Sequence, residues 1–147
     1  MTEGAADIRA AISDQLGRFA RLLDTRQWDG LDSVFAGDVG FDYGEGRTGS
    51  GLAALRAMFR RYLDRCGPSQ HLLGSPIIDL GDPAMPVSAC YVQARHVGTG
   101  DGAANWFDTS GEYRDSWRRD GDIWRIVRRT ADFRLFVGDP GVIAFDG

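Results

Sequence analysis

The first half of the chain repeats apolar residues at a helical period. Between residues 5 and 25 they recur at three- and four-residue steps: Ile8, Ile12, Leu16, Phe19 and Leu23. This spacing places them on one face of an amphipathic helix. A second, shorter helix is predicted from Trp28 to Gly37, and a short strand at residues 39–46 follows it. A third helix is predicted over residues 51–66, capped by Ser50 and ended by the Gly67-Pro68 pair.

After residue 68 the pattern changes to strands separated by turns rich in Gly, Pro and Asp. The four strand segments are residues 69–80, 86–98, 105–119 and 122–137. Helices followed by hairpin-linked strands predict an α+β fold, with three N-terminal helices packed on a mostly antiparallel sheet. We expect this sheet to curve strongly into a cone-shaped α+β barrel whose inside is a pocket. The length of 147 residues fits a single domain, residues 1–147.

Composition and charge narrow the possible partners. The chain is 43% hydrophobic and 26% charged, which is typical of a soluble globular protein. A net charge of -4 argues against nucleic acid, and no apolar run or N-terminal leader indicates a membrane segment or secretion, so we expect a cytoplasmic protein. All 17 basic residues are arginine, which excludes Schiff-base chemistry and a P-loop lysine. Cys66 and Cys90 form no metal-binding pattern, so we expect reduced thiols and no metal.

Four polar residues are candidates for chemistry in the pocket. Alternation along the strands puts His71 on one face with Leu73, and His96 on one face with Cys90, Val92 and Ala94. A histidine can exchange a proton near neutral pH, and a carboxylate such as Asp24 on its other ring nitrogen would fix its tautomer. The phenol of Tyr43 could donate a hydrogen bond to a developing enolate oxygen.

The same residues have structural interpretations that the pattern alone leaves open. A single strand histidine is often a structural hydrogen-bonding residue, and an aspartate near a helix end is often solvated. Asp115 could be a second pocket acid or could form a salt bridge with a nearby arginine. The Arg118-Arg119 and Arg128-Arg129 pairs are predicted to lie on a solvated sheet face or a subunit interface, and Trp28, Trp117 and Trp124 are predicted core residues.

The order of these residues resembles a known family. The segments RLLDTRQWDGLDSVFAGDVGFDYG, SQHLLGS and DGDIWRIVRRT are similar to the SnoaL-like group of the nuclear-transport-factor-2-like superfamily, over residues 5–136. Within that group the pattern resembles the scytalone dehydratase, bile-acid 7α-dehydratase and hexachlorocyclohexane dehydrochlorinase type, and the polyketide cyclases. The resemblance implies an Asp24-His71 pair that acts without a cofactor, with Tyr43 and His96 as further catalytic residues.

The resemblance implies a cofactor-independent lyase or isomerase, of dehydratase or cyclase type, for a small, largely apolar cyclic or polyketide-like substrate. His71 would abstract a proton, Asp24 would orient the ring, and Tyr43 and His96 would hold the substrate oxygen, directly or through a water. Leu23 and Phe19 stand where relatives carry tyrosines. The residues predicted to contact the substrate are Phe19, Leu23, Trp28, Leu73, Val92, Tyr113, Asp115 and Trp117.

Other functions of the same fold remain as alternatives. One is a non-catalytic ligand-binding protein or an oxygenase-small-subunit-like assembly protein. Another is an epoxide hydrolase, whose relatives use two aspartates beside an arginine, whereas only Asp24 is a good candidate here. We expect a homodimer or homotrimer, because the outer sheet face carries aromatic and arginine side chains. The apolar tail residues Val142, Ile143 and Phe145 are predicted to cover the pocket mouth or to reach a neighbouring subunit.

Overall fold

The computed structural model describes residues 3–143, so the tail residue Phe145 lies outside the described residues. Helix α1 spans Ala5–Asp24, and helix α2 spans Leu52–Leu63. The apolar stripe predicted for the first helix is confirmed, because all five of its residues are buried in the core. None of the helices in the described range is both long and apolar enough to cross a membrane.

Two predictions for the segment between α1 and α2 were wrong. The second helix is a 3₁₀ turn over Trp28–Ser33, and strand β1 begins directly after it and spans Phe35–Asp42. Val34 and Phe35 are buried as expected, but an extended backbone buries them and no helix reaches Gly37. Ser50 does not cap α2, because it belongs to the short strand β2 (Thr48–Ser50), which pairs with β1.

Gly51 precedes α2 with a φ of 92°, a conformation in which an L side chain would be strained. The chain therefore turns from β2 into the helix at a glycine.

The four strands predicted after residue 68 are confirmed to within two residues at each end. They are β3 (Ser69–Asp79), β4 (Val87–Val97), β5 (Trp106–Asp120) and β6 (Ile123–Gly138). Within the described residues the strands form one sheet of order β2-β1-β6-β5-β4-β3, in which only the β1-β6 pair is parallel.

The sheet is curved but not closed, so the barrel predicted from the sequence is an open cone with edges at β2 and β3. Irregular registers in β3 and in the β5-β6 pair fit this curvature, because a β-bulge bends the strand that carries it. At the bulge between Ser110 and Gly111, a Cβ on Gly111 would come within 2.1 Å of the Asp132 carbonyl oxygen. Glycine therefore permits the close approach of β5 and β6 at this point.

The two faces of the sheet differ as the alternation in β4 predicts. Cys90, Val92, Ala94 and His96 are buried, whereas the residues between them are exposed. The outer face carries exposed apolar side chains, among them Leu72, Tyr91, Leu135 and Val137. An oligomer formed through this face stays a prediction.

Candidate active site

A cavity of about 530 Å³ opens between the inner face of the sheet and the two helices. Apolar and aromatic side chains make up most of its wall: Leu23, Met58, Phe59, Tyr62, Leu63, Ala94, Phe107, Tyr113, Phe133, Phe136, Pro140 and Ile143. The remaining side chains in the wall are polar or charged: Tyr43, Glu45, Arg47, His71, His96 and Thr109. An apolar pocket with a few polar groups is the usual form of a small-molecule site.

The predicted pair Asp24 and His71 is in hydrogen-bond contact. Asp24 is the last residue of α1, and His71 lies near the start of β3, so the packing of α1 against β3 brings them together. Asp24 Oδ1 lies 2.7 Å from His71 Nδ1, and the side chains are 19% and 6% exposed. An ionised carboxylate can only accept, so Nδ1 carries the proton and the neutral ring has its lone pair on Nε2. The pair is thus arranged as a base with a carboxylate behind it.

Three hydrogen bonds hold the Asp24 carboxylate. Besides the ring of His71, the backbone N–H of His71 donates to Oδ2 at 2.8 Å, and Ser69 Oγ donates to Oδ1 at 3.0 Å. Partial burial by itself raises the pKa of Asp24, but these hydrogen bonds and the nearby His71 ring outweigh it and hold the pKa below its ordinary value. Asp24 is therefore ionised at neutral pH and available to stabilise an imidazolium.

His96 lines the cavity, but its free ring nitrogen can only accept a hydrogen bond, whereas a group that binds a carbonyl oxygen must donate one. Its Nδ1 lies 2.8 Å from the carbonyl oxygen of Phe107, which can only accept, so Nδ1 carries the proton. Burial lowers the pKa of His96, although the Phe107 carbonyl raises it in part. His96 is thus neutral at pH 7, and its Nε2 is an acceptor. The two imidazole rings meet edge to face, with centroids 5.8 Å apart.

The lowered pKa of His96 makes a prediction for stability. Below about pH 6.5 the unfolded chain takes up a proton at this residue that the folded chain does not. The free energy of unfolding therefore decreases as the pH is lowered from about 6.5, until the folded-state pKa of His96 is reached. Replacing His96 with Gln should remove this contribution and flatten the pH dependence in that window. Urea denaturation of both proteins between about pH 5 and pH 7 measures it. Equal slopes for the variant and the wild type would contradict the prediction.

Tyr43 follows β1 and places a buried phenol in the cavity wall. Burial raises its pKa to about 12, against the opposing effect of the Arg129 charge, so the hydroxyl keeps its proton at neutral pH. Among the described residues this hydroxyl makes no hydrogen bond of normal geometry, although the Arg129 guanidinium is near enough to lower its pKa. Such an unpaired donor is available to a ligand oxygen.

Arg129 occupies a position that the sequence analysis did not anticipate. It was predicted on a solvated face or interface, but its side chain is fully buried and pairs with the equally buried Asp115, Nε to Oδ1 at 2.7 Å and Nη2 to Oδ2 at 2.8 Å. The rings of Phe19 and Tyr113 each lie 4.1 Å from the guanidinium carbon. Its Nη1 makes no hydrogen bond of normal geometry within residues 3–143, although the guanidinium is near enough to the Tyr43 phenol to lower its pKa. Of the two alternatives for Asp115, the salt bridge is the one observed.

The structure brings part of the predicted contact set to the cavity. Leu23 and Tyr113 line it together with three of the predicted catalytic residues, Tyr43, His71 and His96, and Asp24 lies behind the His71 ring. Six others do not line it: Phe19, Trp28, Leu73, Val92, Asp115 and Trp117. The indole N–H groups of Trp28 and Trp117 donate to Asp64 Oδ1 and Ser88 Oγ, which anchors both rings in the core. A role of these six residues in substrate binding stays a prediction, and we leave them out of the proposed binding set.

Sequence reasoning missed several cavity residues that alternation could have found. Ala94 pairs with Thr109, and His96 pairs with Phe107, so the inward face of β4 specifies the inward face of β5 once the hairpin is registered. It also missed Ser69, two residues before His71, which binds the carboxylate. Among the described residues no group of three or more His, Cys, Asp or Glu side chains could hold a metal ion.

Comparison with known families gives one clear match. The sequence profile of a SnoaL-like domain matches residues 5–130. Among curated protein sequences none matches the chain at a significant level.

Solved structures share the fold over most of the chain. A candidate scytalone dehydratase from Novosphingobium aromaticivorans DSM 12444 superposes with a TM-score of 0.80 at 18% identity, covering 88% of this chain and 85% of its own. A candidate aromatic ring hydroxylase from Novosphingobium aromaticivorans gives 0.81 at 26% identity, with coverages of 92% and 96%. The hexachlorocyclohexane dehydrochlorinase LinA-type3 from Novosphingobium barchaimii LL02 gives 0.77 at 15% identity, with coverages of 95% and 94%.

Proposed function

The chain belongs to the SnoaL-like domain family, and from this membership and the geometry of its cavity we propose that it is a cofactor-independent lyase or isomerase of dehydratase or cyclase type. The observation that carries the proposal is the 2.7 Å contact between Asp24 Oδ1 and Nδ1 of His71, a residue that lines an apolar cavity. The substrate would be a small, largely apolar cyclic or polyketide-like molecule. A cavity of about 530 Å³ lies within the usual range for such ligands.

In the proposed reaction His71 Nε2 takes a proton from a carbon next to a carbonyl group. The C–H electron pair forms the enolate, and Tyr43 donates its unpaired O–H to the enolate oxygen. In a dehydration the enolate then forms a carbon–carbon double bond as the C–O bond breaks, and the imidazolium of His71 returns its proton to the leaving hydroxyl, which departs as water. Asp24 stabilises the imidazolium between the two proton transfers.

The tautomer of His96 supports a hydroxyl as the leaving group. A neutral ring whose Nδ1–H is bound to the Phe107 carbonyl can accept a hydrogen bond at Nε2 but cannot donate one to a carbonyl oxygen. A hydroxyl or a water can supply the hydrogen that this nitrogen accepts, whereas a halide cannot. We therefore assign Tyr43 to the carbonyl oxygen and His96 to the hydroxyl of the substrate.

Hydrogen exchange tests the proposal without knowledge of the natural substrate. The protein is incubated in deuterated water with a panel of cyclic ketones and β-hydroxy ketones, and deuterium at the carbon next to the carbonyl is followed by NMR. Catalysed exchange, or loss of water from the β-hydroxy compounds, is the expected result. Tight binding of a panel member without exchange or elimination would favour the alternative, a non-catalytic ligand-binding or oxygenase-small-subunit-like protein.

Replacing Tyr43 with Phe tests the role of the phenol. We expect kcat to fall by about 10²- to 10³-fold, the usual effect of removing one donor to a developing oxyanion. Stability should change little, because the hydroxyl that is lost makes no hydrogen bond of normal geometry among the described residues. Tyr91→Phe is the matched control, since Tyr91 is exposed on the outer face and should tolerate the change. A Tyr43→Phe variant with wild-type kcat would remove Tyr43 from the mechanism.

A further inference from the structure

Arg26 adopts a backbone conformation that normally belongs to glycine. Its φ of 58° lies in the left-handed region, two residues beyond the end of α1. The Gln27 N–H donates to the Leu22 carbonyl at 2.9 Å and the Arg26 N–H donates to the Leu23 carbonyl at 3.1 Å, the two bonds of a Schellman motif. Glycine is the favoured residue at this point of the motif, and a side chain there is strained.

The guanidinium of Arg26 uses all five of its N–H groups. Nε donates to the Leu63 carbonyl at 3.1 Å, which lies at the end of α2. Nη1 donates to the Leu23 carbonyl at 2.8 Å and to Ser69 Oγ at 2.7 Å. Nη2 donates to the Gly67 carbonyl at 2.8 Å and to Cys66 Sγ at 3.3 Å. One side chain thus joins the end of α1, the end of α2 and the start of β3.

The contact with Ser69 connects this cation to the dyad. Because Ser69 Oγ accepts from Arg26, its single hydrogen is directed to Asp24 Oδ1, at 3.0 Å. The same carboxylate oxygen accepts from His71 Nδ1. The backbone N–H of His71 holds Oδ2, so Ser69 is the contact that fixes the other oxygen, the one that binds the His71 ring.

We propose that Arg26 is a positioning residue, which acts through Ser69 to hold the Asp24 carboxylate in the orientation that binds His71 Nδ1. Arg26 does not line the cavity, so it touches no substrate in this role. Its effect on turnover rests on the proposed base function of His71. Its effect on the Asp24-His71 hydrogen bond does not, because that bond exists in the protein without substrate.

Replacing Arg26 with Gly separates positioning from support of the fold. Glycine suits the left-handed backbone, so the end of α1 keeps its motif while the five side-chain hydrogen bonds are lost. Ser69→Ala removes the hydroxyl that joins Arg26 to Asp24 and leaves the other four hydrogen bonds of the guanidinium in place. Arg56→Gln is the matched control, since Arg56 is a partly buried arginine of α2 whose Nε donates to the Trp28 carbonyl at 3.1 Å, away from the dyad.

The first measurement is the Nδ1–H resonance of His71 in proton-nitrogen NMR spectra of the free protein. We expect this resonance to broaden or disappear in Arg26→Gly and Ser69→Ala, because the hydrogen bond to Asp24 loosens, and to stay unchanged in Arg56→Gln. The second is kinetics on any ketone that the wild type turns over, where kcat should fall about 10- to 100-fold and KM should change little. Added methylguanidinium should restore part of kcat in Arg26→Gly only.

An Arg26→Gly protein with the wild-type resonance and kcat would overturn the proposal. If that variant does not fold, Ser69→Ala decides, and a wild-type resonance and rate in Ser69→Ala overturn the proposal equally. Failure of the proposed function is distinguishable from both outcomes. It would show as full turnover in His71→Ala, or as no turnover in the wild type, while the NMR measurement still reports on Arg26.

Discussion

Replacing His71 with Ala is expected to lower turnover by about 10²- to 10⁴-fold, the contribution of a positioned general acid or base. The variant removes the imidazole whose Nδ1–H is bound to a carboxylate, and His96 is the weaker base, because burial lowers its pKa and a neutral carbonyl holds its Nδ1–H. The exchange and elimination assays on the ketone panel measure the loss. The variant should still fold, since His71 lies at the cavity wall and the main core is built from α1, α2 and the sheet.

Asp24→Asn is the companion variant, because it keeps the shape of the side chain and removes its charge. The amide can present its N–H₂ group to His71 Nδ1, which would move the ring proton to Nε2 and leave no base facing the cavity. We expect a loss of turnover of the same order as for His71→Ala, and a double variant no worse than either single one, because the two residues act as one unit.

Gln70→Ala is the control for both variants. Gln70 is the neighbour of His71 in β3, but its side chain is exposed, so it should keep full activity. Full turnover in His71→Ala with a wild-type thermal midpoint would exclude His71 as the base and would favour the ligand-binding alternative.

The parts of the fold that could be predicted are those in which one local pattern decides. The stripe from Ile8 to Leu23 has a single way to be buried, and the alternation in β4 assigns His96 to the inner face without any knowledge of its neighbours. The boundary near Phe35 was predicted wrongly because Leu31, Val34 and Phe35 suit a helical stripe as well as a 3₁₀ turn followed by a strand. The parallel pairing of β1 with β6 decides between these two structures. A local pattern cannot reveal this pairing, because it joins residues about 90 positions apart in sequence.

The candidate site divides in the same way. The identities of Asp24 and His71 follow from the resemblance, but their contact depends on the packing of the end of α1 against β3, which Arg26 and Ser69 secure. Arg26 offered no signal in the sequence, because a left-handed arginine after a helix is not predicted from residue preferences. The sequence also could not show which ring nitrogen of His96 carries the proton, since this depends on a backbone carbonyl in the adjacent strand.

Arg129 was misjudged because arginine is rarely buried unless it is paired. The turn at Gly121 and Asp122 gives the pairing of β5 with β6, in which Asp120 lies opposite Ile123. Continuing this register would place Asp115 opposite Arg128, but the bulge between Ser116 and Trp117 shifts it by one residue to Arg129. A single irregular residue thus decides which arginine enters the core.

The buried pair makes the largest stability prediction. Replacing Asp115 with Asn should cost about 3–5 kcal/mol of unfolding free energy, because it leaves an unpaired cation in the core. The aromatic rings around the guanidinium, those of Phe19, Tyr113 and Phe35, would then be left to offset the charge of Arg129. Burial lowers the pKa of Arg129, and it is mainly Asp115 that outweighs burial and holds the pKa above its ordinary value. Urea denaturation at neutral pH measures the loss. A matched control is Asp108→Asn, which breaks an exposed pair with Arg95 and should change little.

A double variant shows whether the penalty belongs to the isolated charge or to the lost attraction. Asp115→Leu with Arg129→Met replaces both ions by apolar groups, and we expect it to be markedly more stable than Asp115→Asn, because no charge remains to be desolvated. If the double variant were as unstable as the single one, the cost would lie in packing between Phe19 and Tyr113 and the charge argument would fail. The double variant also removes the effect of Arg129, which lowers the pKa of Tyr43, together with the smaller opposite effect of Asp115. The pKa of Tyr43 should therefore be higher than in the wild type, which ultraviolet titration of the phenol can detect.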